Sequence, residues 1–508
     1  MLKKNCFNNF NRFNSLTFQK SQFMFNQFKT IITKFKAPPM IYIKGEEYTR
    51  YASELYLNEW IRPFVDTSNW EFYDLSCKSR DDTNDKVLRD CIEAGRRVGS
   101  IFKEPTITPT DHQKKSMGLK NTLRSPNGKM RDGWSGQSIS RDTIHIEGMK
   151  LGYTNPVLFD RHAVGGEYGA GYDVVEQGVL KTVFIPSGSK KEEIIAEKRL
   201  NGHSNAVVVY TNPYDNVVDV AHHFFSRCLQ ENAIPYVVTK KNLFKWQEPF
   251  WDIMLKVFNT NYKHRFNKVG LLNNTGGELK HLHTDDAIMK VVGWTQGGFG
   301  MVAHNYDGDV LTDEVAQVHR SPGFLSSVLN GRREDGSLIK EFEASHGTVT
   351  DMWEAHLRGE EASLNPLGLI DALAGAMNHS AVLSGKTDET FKFTNILMKS
   401  LYKQMTTKGK ATRDLSGPNG LTTEQFVVEV KKRMMGQVDP NEEVAETHDI
   451  IQNVQYDVEM MRQIFNSFDT NRDGKLSYED FEKGIRKLRI APLLENSQSA
   501  EEREVTPF

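Results

Sequence analysis

The chain has 508 residues, of which 38% are hydrophobic and 26% are charged, and its formal net charge is −2 at pH 7. This length is sufficient for two or three domains with hydrophobic cores, and the composition is that of a soluble globular protein. The near-neutral charge argues against a general nucleic-acid binder, and no apolar run approaches the roughly eighteen residues that a membrane span requires.

The first 38 residues differ in composition from the rest of the chain. They contain seven lysines and arginines but no Asp or Glu, and phenylalanine recurs between Asn, Ser and Thr. A helix of this sequence would be basic and amphipathic, which is typical of a mitochondrial transit peptide. The alternative is a basic tail without structure. We predict that residues 1–38 direct the protein to the mitochondrial matrix and are then removed.

Strands alternate with helices through most of residues 40–430. In chain order we predict a strand at Met40–Ile43, helices at Tyr48–Phe64 and Asp85–Ile101, a turn at Ser125–Gly128, glycine-rich loops at Gly165–Gly171 and Gly297–Gly300, and strands at Ala206–Tyr210, Tyr236–Thr239 and Val302–Ala303. This alternation indicates an α/β architecture. A polar linker at 436–448, a short helical module at 449–490 and a charged tail at 491–508 follow. The four cysteines, Cys6, Cys77, Cys91 and Cys228, are far apart and are predicted to be reduced thiols.

The segment Asn305–Gln317 (NYDGDVLTDEVAQ) is predicted to open as a turn at Asp307-Gly308 and to continue as a helix. Asp309 and Asp313 then lie four residues apart on one helix face. Two carboxylates with no Lys or Arg between them repel each other unless a cation lies there, and a few hard oxygen ligands suit Mg²⁺ or Mn²⁺. The alternative is a solvated acidic helix start, where Asp is favoured by the helix dipole.

Cationic and hydroxyl side chains precede this acidic pair. They are Thr108, Ser125, Asn127, Arg131, Arg141, Arg161 and Tyr168. Three arginines near small-residue turns suit a small polyanion, because each guanidinium can bind a carboxylate through two hydrogen bonds. The alternative is that each arginine is an ordinary surface residue.

The segment Asp469–Asp480 (DTNRDGKLSYED) has the spacing of an EF-hand calcium loop. The predicted Ca²⁺ ligands are Asp469, Asn471 and Asp473 at positions one, three and five, the backbone carbonyl of Lys475 at seven, and Asp480 at twelve. Position twelve is usually Glu, so the shorter Asp480 is expected to weaken Ca²⁺ binding and to favour Mg²⁺ relative to it. EF-hands usually pair, and a dimer would bring two copies together.

Five motifs then occur in order along the chain: TITP at Thr106–Pro109, SPNG at Ser125–Gly128, RHA at Arg161–Ala163, NYDGDV at Asn305–Val310 and HGTVT at His346–Thr350. Over about residues 40–435 the chain therefore resembles the homodimeric, eukaryotic-type isocitrate dehydrogenases. The resemblance implies a two-domain α/β subunit. Its large domain would comprise residues 39–134 and 320–435, and its small domain residues 135–319, with a dimer-locking clasp at about 166–213.

The resemblance also implies the oxidative decarboxylation of isocitrate to 2-oxoglutarate and CO₂. Ser125, Asn127, Arg131, Arg141 and Arg161 would hold the tricarboxylate, and Thr108 would lie between substrate and nicotinamide. Tyr168 matches the tyrosine that protonates the enolate, and Lys240 matches the lysine that reaches into the neighbouring active site to handle the hydroxyl proton. Asp285 of a second subunit would join Asp309 and Asp313 at Mg²⁺ or Mn²⁺.

The implied contacts to the dinucleotide are Lys103, Thr108, His346, Gly347, Thr348, Val349, Asp351, Met352 and Asn365. Members of the family that use NADP have Arg-His directly after HGTVT, whereas this chain has Asp351-Met352, and Gln113 and Leu282 also stand where those members have Arg. An Asp repels a 2′-phosphate and can accept a hydrogen bond from a free 2′-hydroxyl. We therefore predict NAD. The alternatives are an NADP-dependent enzyme and a catalytically silent, calcium-responsive scaffold in a mitochondrial assembly.

Overall fold

The computed structural model describes residues 34–121, 123–333 and 335–437. The chain divides into two compact units, Met1–Met435 and Gly436–Phe508, and the features below belong to the first. Most of the predicted transit peptide, and the predicted EF-hand module and tail, lie outside the described residues. Strand β1 (Phe35–Lys36) pairs with Val65–Asp66, so the folded unit begins before the predicted end of the transit peptide at residue 38.

Sixteen strands are described. They are β1, β2 (Met40–Lys44), β3 (Val65–Asp66), β4 (Trp70–Asp74), β5 (Ser100–Lys103), β6 (Gly136–Thr143), β7 (Val157–His162), β8 (Gly171–Val175), β9 (Gly178–Phe184), β10 (Glu193–Leu200), β11 (Asn205–Val209), β12 (Ile234–Val238), β13 (Lys280–Leu282), β14 (Phe299–Ala303), β15 (Leu325–Arg332) and β16 (Leu338–Ala344).

The described α-helices are α1 (Glu47–Tyr56), α2 (Cys77–Asp82), α3 (Lys86–Val98), α4 (Asp111–Ser116), α5 (Pro126–Gly133), α6 (Val217–Gln230), α7 (Glu248–Val257), α8 (Lys263–Lys268), α9 (Thr284–Gly293), α10 (Asn305–His319), α11 (Thr350–Leu357), α12 (Leu367–Leu383), α13 (Asp388–Thr406), α14 (Arg413–Ser416) and α15 (Thr423–Met434). Among the described residues, no helix has the length and apolar character needed to cross a bilayer.

Ten strands form one sheet in the order β13-β12-β14-β7-β6-β15-β16-β5-β2-β4. Within each end group of four strands the strands run parallel to one another, whereas β6 and β15 at the centre pair antiparallel on both sides. Parallel strands need helical crossovers that cover the sheet faces. The apolar helix α12, with Leu369, Leu373 and Met377 buried, packs on β16 and β5 and against α13. The predicted α/β class is confirmed.

A separate pair of two-stranded antiparallel sheets, β9 with β10 and β8 with β11, occupies residues 171–209. Its strands are exposed along almost their whole length in this single chain, and large apolar side chains share that exposure: Tyr172 is 79% exposed, Ile195 67% and Val174 61%. An antiparallel sheet ordinarily buries at least one face, and a contiguous exposed apolar patch marks an interaction surface.

Three local predictions were wrong in detail. Ser125–Gly128 was expected to be a turn but opens α5, because Pro126 at the first helical position fits a helix start. The predicted turn at Asp307-Gly308 lies inside α10; Gly308 is needed there because a Cβ would come within 2.3 Å of the Arg161 Cβ. The helix predicted to reach Ile101 ends at Val98, since Gly99 adopts a left-handed conformation (φ +83°) and β5 follows.

Candidate active site

The predicted substrate arginines meet the predicted metal ligands between β7 and α10. Arg161, near the end of β7, donates a hydrogen bond from Nη1 to Asp309 Oδ1. Arg141 Nη1 on the neighbouring strand β6 lies 3.1 Å from the same oxygen and 3.8 Å from Asp313 Oδ1. Burial, followed by the cations of Arg141 and Arg131, lowers the pKa of Arg161. The site thus concentrates positive charge in a place shielded from water.

Tyr168 covers this cluster from the glycine-rich segment that follows β7. Its hydroxyl donates to Asp309 Oδ2, and its ring centre lies 5.6 Å from the guanidinium carbon of Arg131 and 5.4 Å from that of Arg161. Cations near an aromatic face are attracted by the ring quadrupole. The tyrosine hydroxyl is therefore held at the carboxylate, while the ring lies against two guanidinium groups.

Several polar atoms of the cluster have unused hydrogen-bonding capacity. Arg141 Nε, Arg161 Nε and Asn127 Oδ1 are buried, and none has a partner among the described residues. Buried polar atoms are normally paired, so these three atoms indicate a polar ligand. Ser125 stands at the start of α5, where its side chain makes no capping hydrogen bond, and Thr108 is exposed in the loop after β5. Two of the three atoms are guanidinium donors, and the neighbouring Arg131 adds a third cation, which suits a polycarboxylate.

A second group of charges lies beside the arginines. Lys103 at the end of β5 is buried; its Nζ donates to Glu343 and is 4.0 Å from Glu341. Burial, and next the Glu343 carboxylate, raises the pKa of Glu341, whereas burial lowers the pKa of Arg131. The predicted dinucleotide contact Lys103 is thus already held by an acidic partner.

Lys240 and Asp285 form a separate pair. Lys240 follows β12, Asp285 lies in the first turn of α9, and Lys240 Nζ donates to the Asp285 carboxylate. Neither residue makes a hydrogen bond or ion pair to Asp309 or Tyr168 in the described part of the chain. Over the same residues, no three His, Cys, Asp or Glu side chains converge as a metal site. The structure therefore brings together Asp309, Asp313, Tyr168 and the arginines, but not Lys240 or Asp285.

Asp309 and Asp313 are nevertheless suited to a divalent cation. Both are carboxylates on one face of α10, and Asp313 is 72% exposed. Hard oxygen ligands of this number suit Mg²⁺ or Mn²⁺, with the remaining positions left for substrate, water or a further carboxylate. The predicted third ligand, Asp285, is bonded to Lys240 in this chain, and its contribution from a second copy of the chain stays a prediction.

Helices α9 and α10 pack against each other and carry exposed apolar side chains. Met289 and Val292 on α9 are 65% and 56% exposed, and Tyr306 and Val310 on α10 are 50% and 39% exposed. These two helices also carry Asp285 and Asp309, so the exposed apolar surface adjoins both halves of the predicted metal site. A patch of this kind indicates a protein partner.

The predicted adenosine contacts lie in two neighbouring loops. His346, Gly347, Thr348 and Val349 connect β16 to α11, and Val349 has a left-handed backbone (φ +59°). The hydroxyls of Thr348 and Thr350 donate to Glu47 Oε2 at 2.5 and 2.7 Å. The Glu47 carboxylate therefore holds this loop to α1.

The residues that follow the loop face solvent in part. Asp351 is exposed in the first turn of α11 and Met352 is half-buried. Asn365 Nδ2 donates to Asp414 Oδ2 at 2.9 Å. Gln113 and Thr110 cap α4 reciprocally, while Leu282 at the end of β13 is buried. No cation stands beside Asp351 in an ion pair within the described ranges.

Sequence reasoning missed four polar residues that the structure connects to this site. They are Glu47, Thr312, Glu343 and Asp414. Thr312 Oγ1, for example, accepts from Arg141 Nη1 at 2.9 Å and donates to the Asp309 carbonyl. Of these four residues, only Glu343 could be predicted from a local pattern, because Glu341 and Glu343 are two residues apart on a strand and therefore share a face.

Comparisons with known proteins agree with the family resemblance found in the sequence motifs. The sequence profile of the family described as isocitrate/isopropylmalate dehydrogenase matches residues 43–430, and that of an EF-hand domain matches residues 460–489. A mitochondrial NAD⁺ isocitrate dehydrogenase of Phaeodactylum tricornutum is 51% identical over 94% of this chain and 90% of its own length. A mitochondrial NAD⁺ isocitrate dehydrogenase of Ostreococcus tauri is 57% identical over 80% of this chain and 87% of its own.

A solved structure is similar as well. The crystal structure of isocitrate dehydrogenase from Ostreococcus tauri, in complex with isocitrate and magnesium(II), is 57% identical in sequence and superimposes with a TM-score of 0.75. The match covers 78% of this chain and all of that chain.

Proposed function

The chain belongs to the isocitrate/isopropylmalate dehydrogenase family, and we propose that it is a mitochondrial NAD-dependent isocitrate dehydrogenase that yields 2-oxoglutarate and CO₂. The observation that carries this proposal is the meeting of Arg131, Arg141, Arg161 and Tyr168 around Asp309. Three guanidinium groups beside a hard-oxygen metal ligand suit a metal-bound tricarboxylate.

The arginines bind and orient the substrate. Arg141 and Arg161 can exchange or share their present carboxylate contact with a substrate carboxylate through charge-assisted hydrogen bonds, which are about twice as strong as neutral ones. Ser125 and Asn127 at the start of α5 add hydroxyl and amide contacts, and the helix N-terminus favours an anion there. Burial of Arg161 excludes water and strengthens its interaction with the substrate.

Two side chains move protons. Lys240 of the partner subunit takes the proton of the substrate hydroxyl as the carbon is oxidised, and Tyr168 donates a proton to the enolate carbon once CO₂ has left. When bound, the divalent ion would polarise the reacting oxygen, and NAD would supply the hydride acceptor. Asp309, Asp313 and Asp285 of the partner subunit would hold that ion. The position of the Tyr168 hydroxyl at Asp309 supports its assignment as the proton donor.

The exposed apolar surfaces support a homodimer with shared active sites. Met289, Val292, Tyr306 and Val310 lie on the two helices that carry Asp285 and Asp309, and the sheets at 171–209 offer a second apolar surface. A two-fold axis near α9 and α10 would bring Asp285 and Lys240 of one copy to the arginine cluster of the other.

We further propose that the NAD preference is set by Asp351 and Met352 and that Ca²⁺ modulates activity through the C-terminal unit. The similarity to the Phaeodactylum protein covers 94% of this chain and so extends into that unit, where the EF-hand profile matches. The proposed Ca²⁺ ligands, Asp469, Asn471, Asp473, Lys475 and Asp480, lie outside the described residues. Ca²⁺ binding at an EF-hand reorders its helix pair, which is the kind of change that can be transmitted through a linker.

Steady-state kinetics test the proposal directly. The full chain and a variant truncated after Gly436 are assayed with isocitrate and Mg²⁺, with NAD or NADP, and with or without Ca²⁺. We expect catalytic efficiency with NAD to exceed that with NADP at least about a hundredfold, and Ca²⁺ to change the kinetics of the full chain only. A preference for NADP would contradict the cofactor assignment. An equal Ca²⁺ response of both forms would contradict the role of the C-terminal unit.

A further inference from the structure

A second polar network lies on the face of the sheet opposite the substrate arginines. At its centre is Arg227 on α6, whose Nη1 donates to Asp160 Oδ1 at 2.7 Å and whose Nη2 donates to Asp142 Oδ2. Asp160 is fully buried, and Asp142 and Arg227 are part-buried. None of these three residues belongs to the active site described above.

The network lies directly behind that site. Asp160 immediately precedes Arg161 on β7, and Asp142 immediately follows Arg141 on β6. Because successive side chains of a strand point to opposite faces, the two aspartates project away from the arginines, toward α6. The contacts agree with this arrangement, since the arginines reach Asp309 on α10 while the aspartates reach Arg227.

The same network joins three central strands. Ser140 of β6, which pairs with Asp160 in the sheet, donates from Oγ to Asp160 Oδ1 at 2.5 Å. Asn330 of β15 donates from Nδ2 to Ser140 Oγ at 3.1 Å, and His223 Nε2 of α6 lies 3.0 Å from that hydroxyl. One guanidinium and its neighbours therefore tie β6, β7 and β15 together where antiparallel pairing replaces parallel pairing in the sheet.

We infer that Arg227 is a positioning residue for isocitrate binding: it fixes the backbones of β6 and β7 so that Arg141 and Arg161 meet the substrate carboxylates together. The inference rests on the proposed function. A planar guanidinium bound to two carboxylates on different strands sets both strand spacing and register, which a lysine cannot reproduce with a single ammonium group. We expect the effect to be specific to substrate binding because, among the described residues, the predicted dinucleotide loops at His346–Thr350 and Asn365 make no hydrogen bond or ion pair with Arg227, Asp160 or Asp142.

The test compares Arg227→Met and Arg227→Lys with the wild-type full chain. Substrate carboxylates contact Arg141 and Arg161 in both the ground and the transition state. Displacement of these two arginines should therefore raise KM for isocitrate more than it lowers kcat. We expect Arg227→Met to raise KM for isocitrate at least about tenfold while KM for NAD stays within about twofold, with Arg227→Lys in between.

A matched control separates positioning from general stability. Lys431 on α15 forms a part-buried ion pair with Glu59 (2.6 Å), and Lys431→Met removes it. This variant should lower the melting temperature without changing KM for isocitrate. If Arg227→Met does not fold, Arg227→Lys and Asp142→Asn are judged by the same comparison of KM for isocitrate with KM for NAD. Lower thermal stability with an unchanged KM for isocitrate would overturn the inference. Absence of isocitrate turnover in the wild type would instead count against the proposed function.

Discussion

Replacement of Asp351 by Arg should shift the nicotinamide preference toward NADP. Asp351 is exposed in the first turn of α11, directly after the loop that Glu47 holds through Thr348 and Thr350. At about 4 Å in water, its repulsion of a phosphate charge is about 1 kcal/mol. An arginine there would remove this repulsion and add a charge-assisted hydrogen bond of about 1.5–3 kcal/mol. We therefore expect Asp351→Arg to raise the ratio of kcat/KM with NADP to kcat/KM with NAD roughly a hundredfold, which corresponds to about 3 kcal/mol.

The assay is steady-state kinetics with each nicotinamide at saturating isocitrate and Mg²⁺. The matched control is Glu389→Arg, because Glu389 is likewise an exposed acid in the first turn of a helix, α13. It reproduces the change in net charge and in helix-dipole interaction at a site away from the loop. If Asp351→Arg changes the ratio no more than Glu389→Arg does, then Asp351 does not face the 2′ position and the reasoning is refuted.

Two other changes test the site and the large domain. Arg161→Gln should lower kcat/KM for isocitrate by about a thousandfold or more, because a buried guanidinium that contacts Asp309 is lost. Replacement of the exposed Arg89 by Gln serves as the control. Full activity of Arg161→Gln would contradict the assignment of Arg161 to substrate binding. Burial raises the pKa of Glu104 to about 7, against hydrogen bonds from Tyr42 (2.7 Å) and the Gly45 amide (2.8 Å). The folded state then retains a proton that the unfolded state releases above its pKa near 4.5, so this group's contribution to stability falls as pH rises from about 4.5 through 7. Urea unfolding should show Glu104→Gln gaining up to about 3 kcal/mol relative to wild type between pH 4.5 and pH 8, and an unchanged difference would show that Glu104 does not titrate in this range.

Local patterns predicted part of the geometry of the site. The four-residue spacing of Asp309 and Asp313 placed both on one helix face, as observed in α10. Arg161 is a short-range signal too, because it lies near the end of β7 in the RHA motif. The alternation of strands and helices predicted the α/β class but not the antiparallel centre of the sheet, since strand order depends on pairings between distant segments.

Contacts between distant parts of the chain carried no local signal. Glu47 contacts Thr348, and Lys103 contacts Glu343, because β2 and β5 lie beside β16 in one half of the sheet, although these strands are distant in the sequence. The prediction of a turn at Asp307-Gly308 was wrong for a related reason. Glycine ordinarily marks a turn, but Gly308 instead allows α10 to approach Arg161 on β7, which only the tertiary structure shows.

The central claim is that each active site combines Asp309 of one copy with Asp285 of another. Asp309→Asn and Asp285→Asn are prepared as separate, inactive full-length proteins, then unfolded together and refolded as an equal mixture. If the sites are shared in a dimer, half of the dimers carry one intact site, and isocitrate turnover returns to about one quarter of the wild-type value. A mixture that stays as inactive as its components would contradict the account.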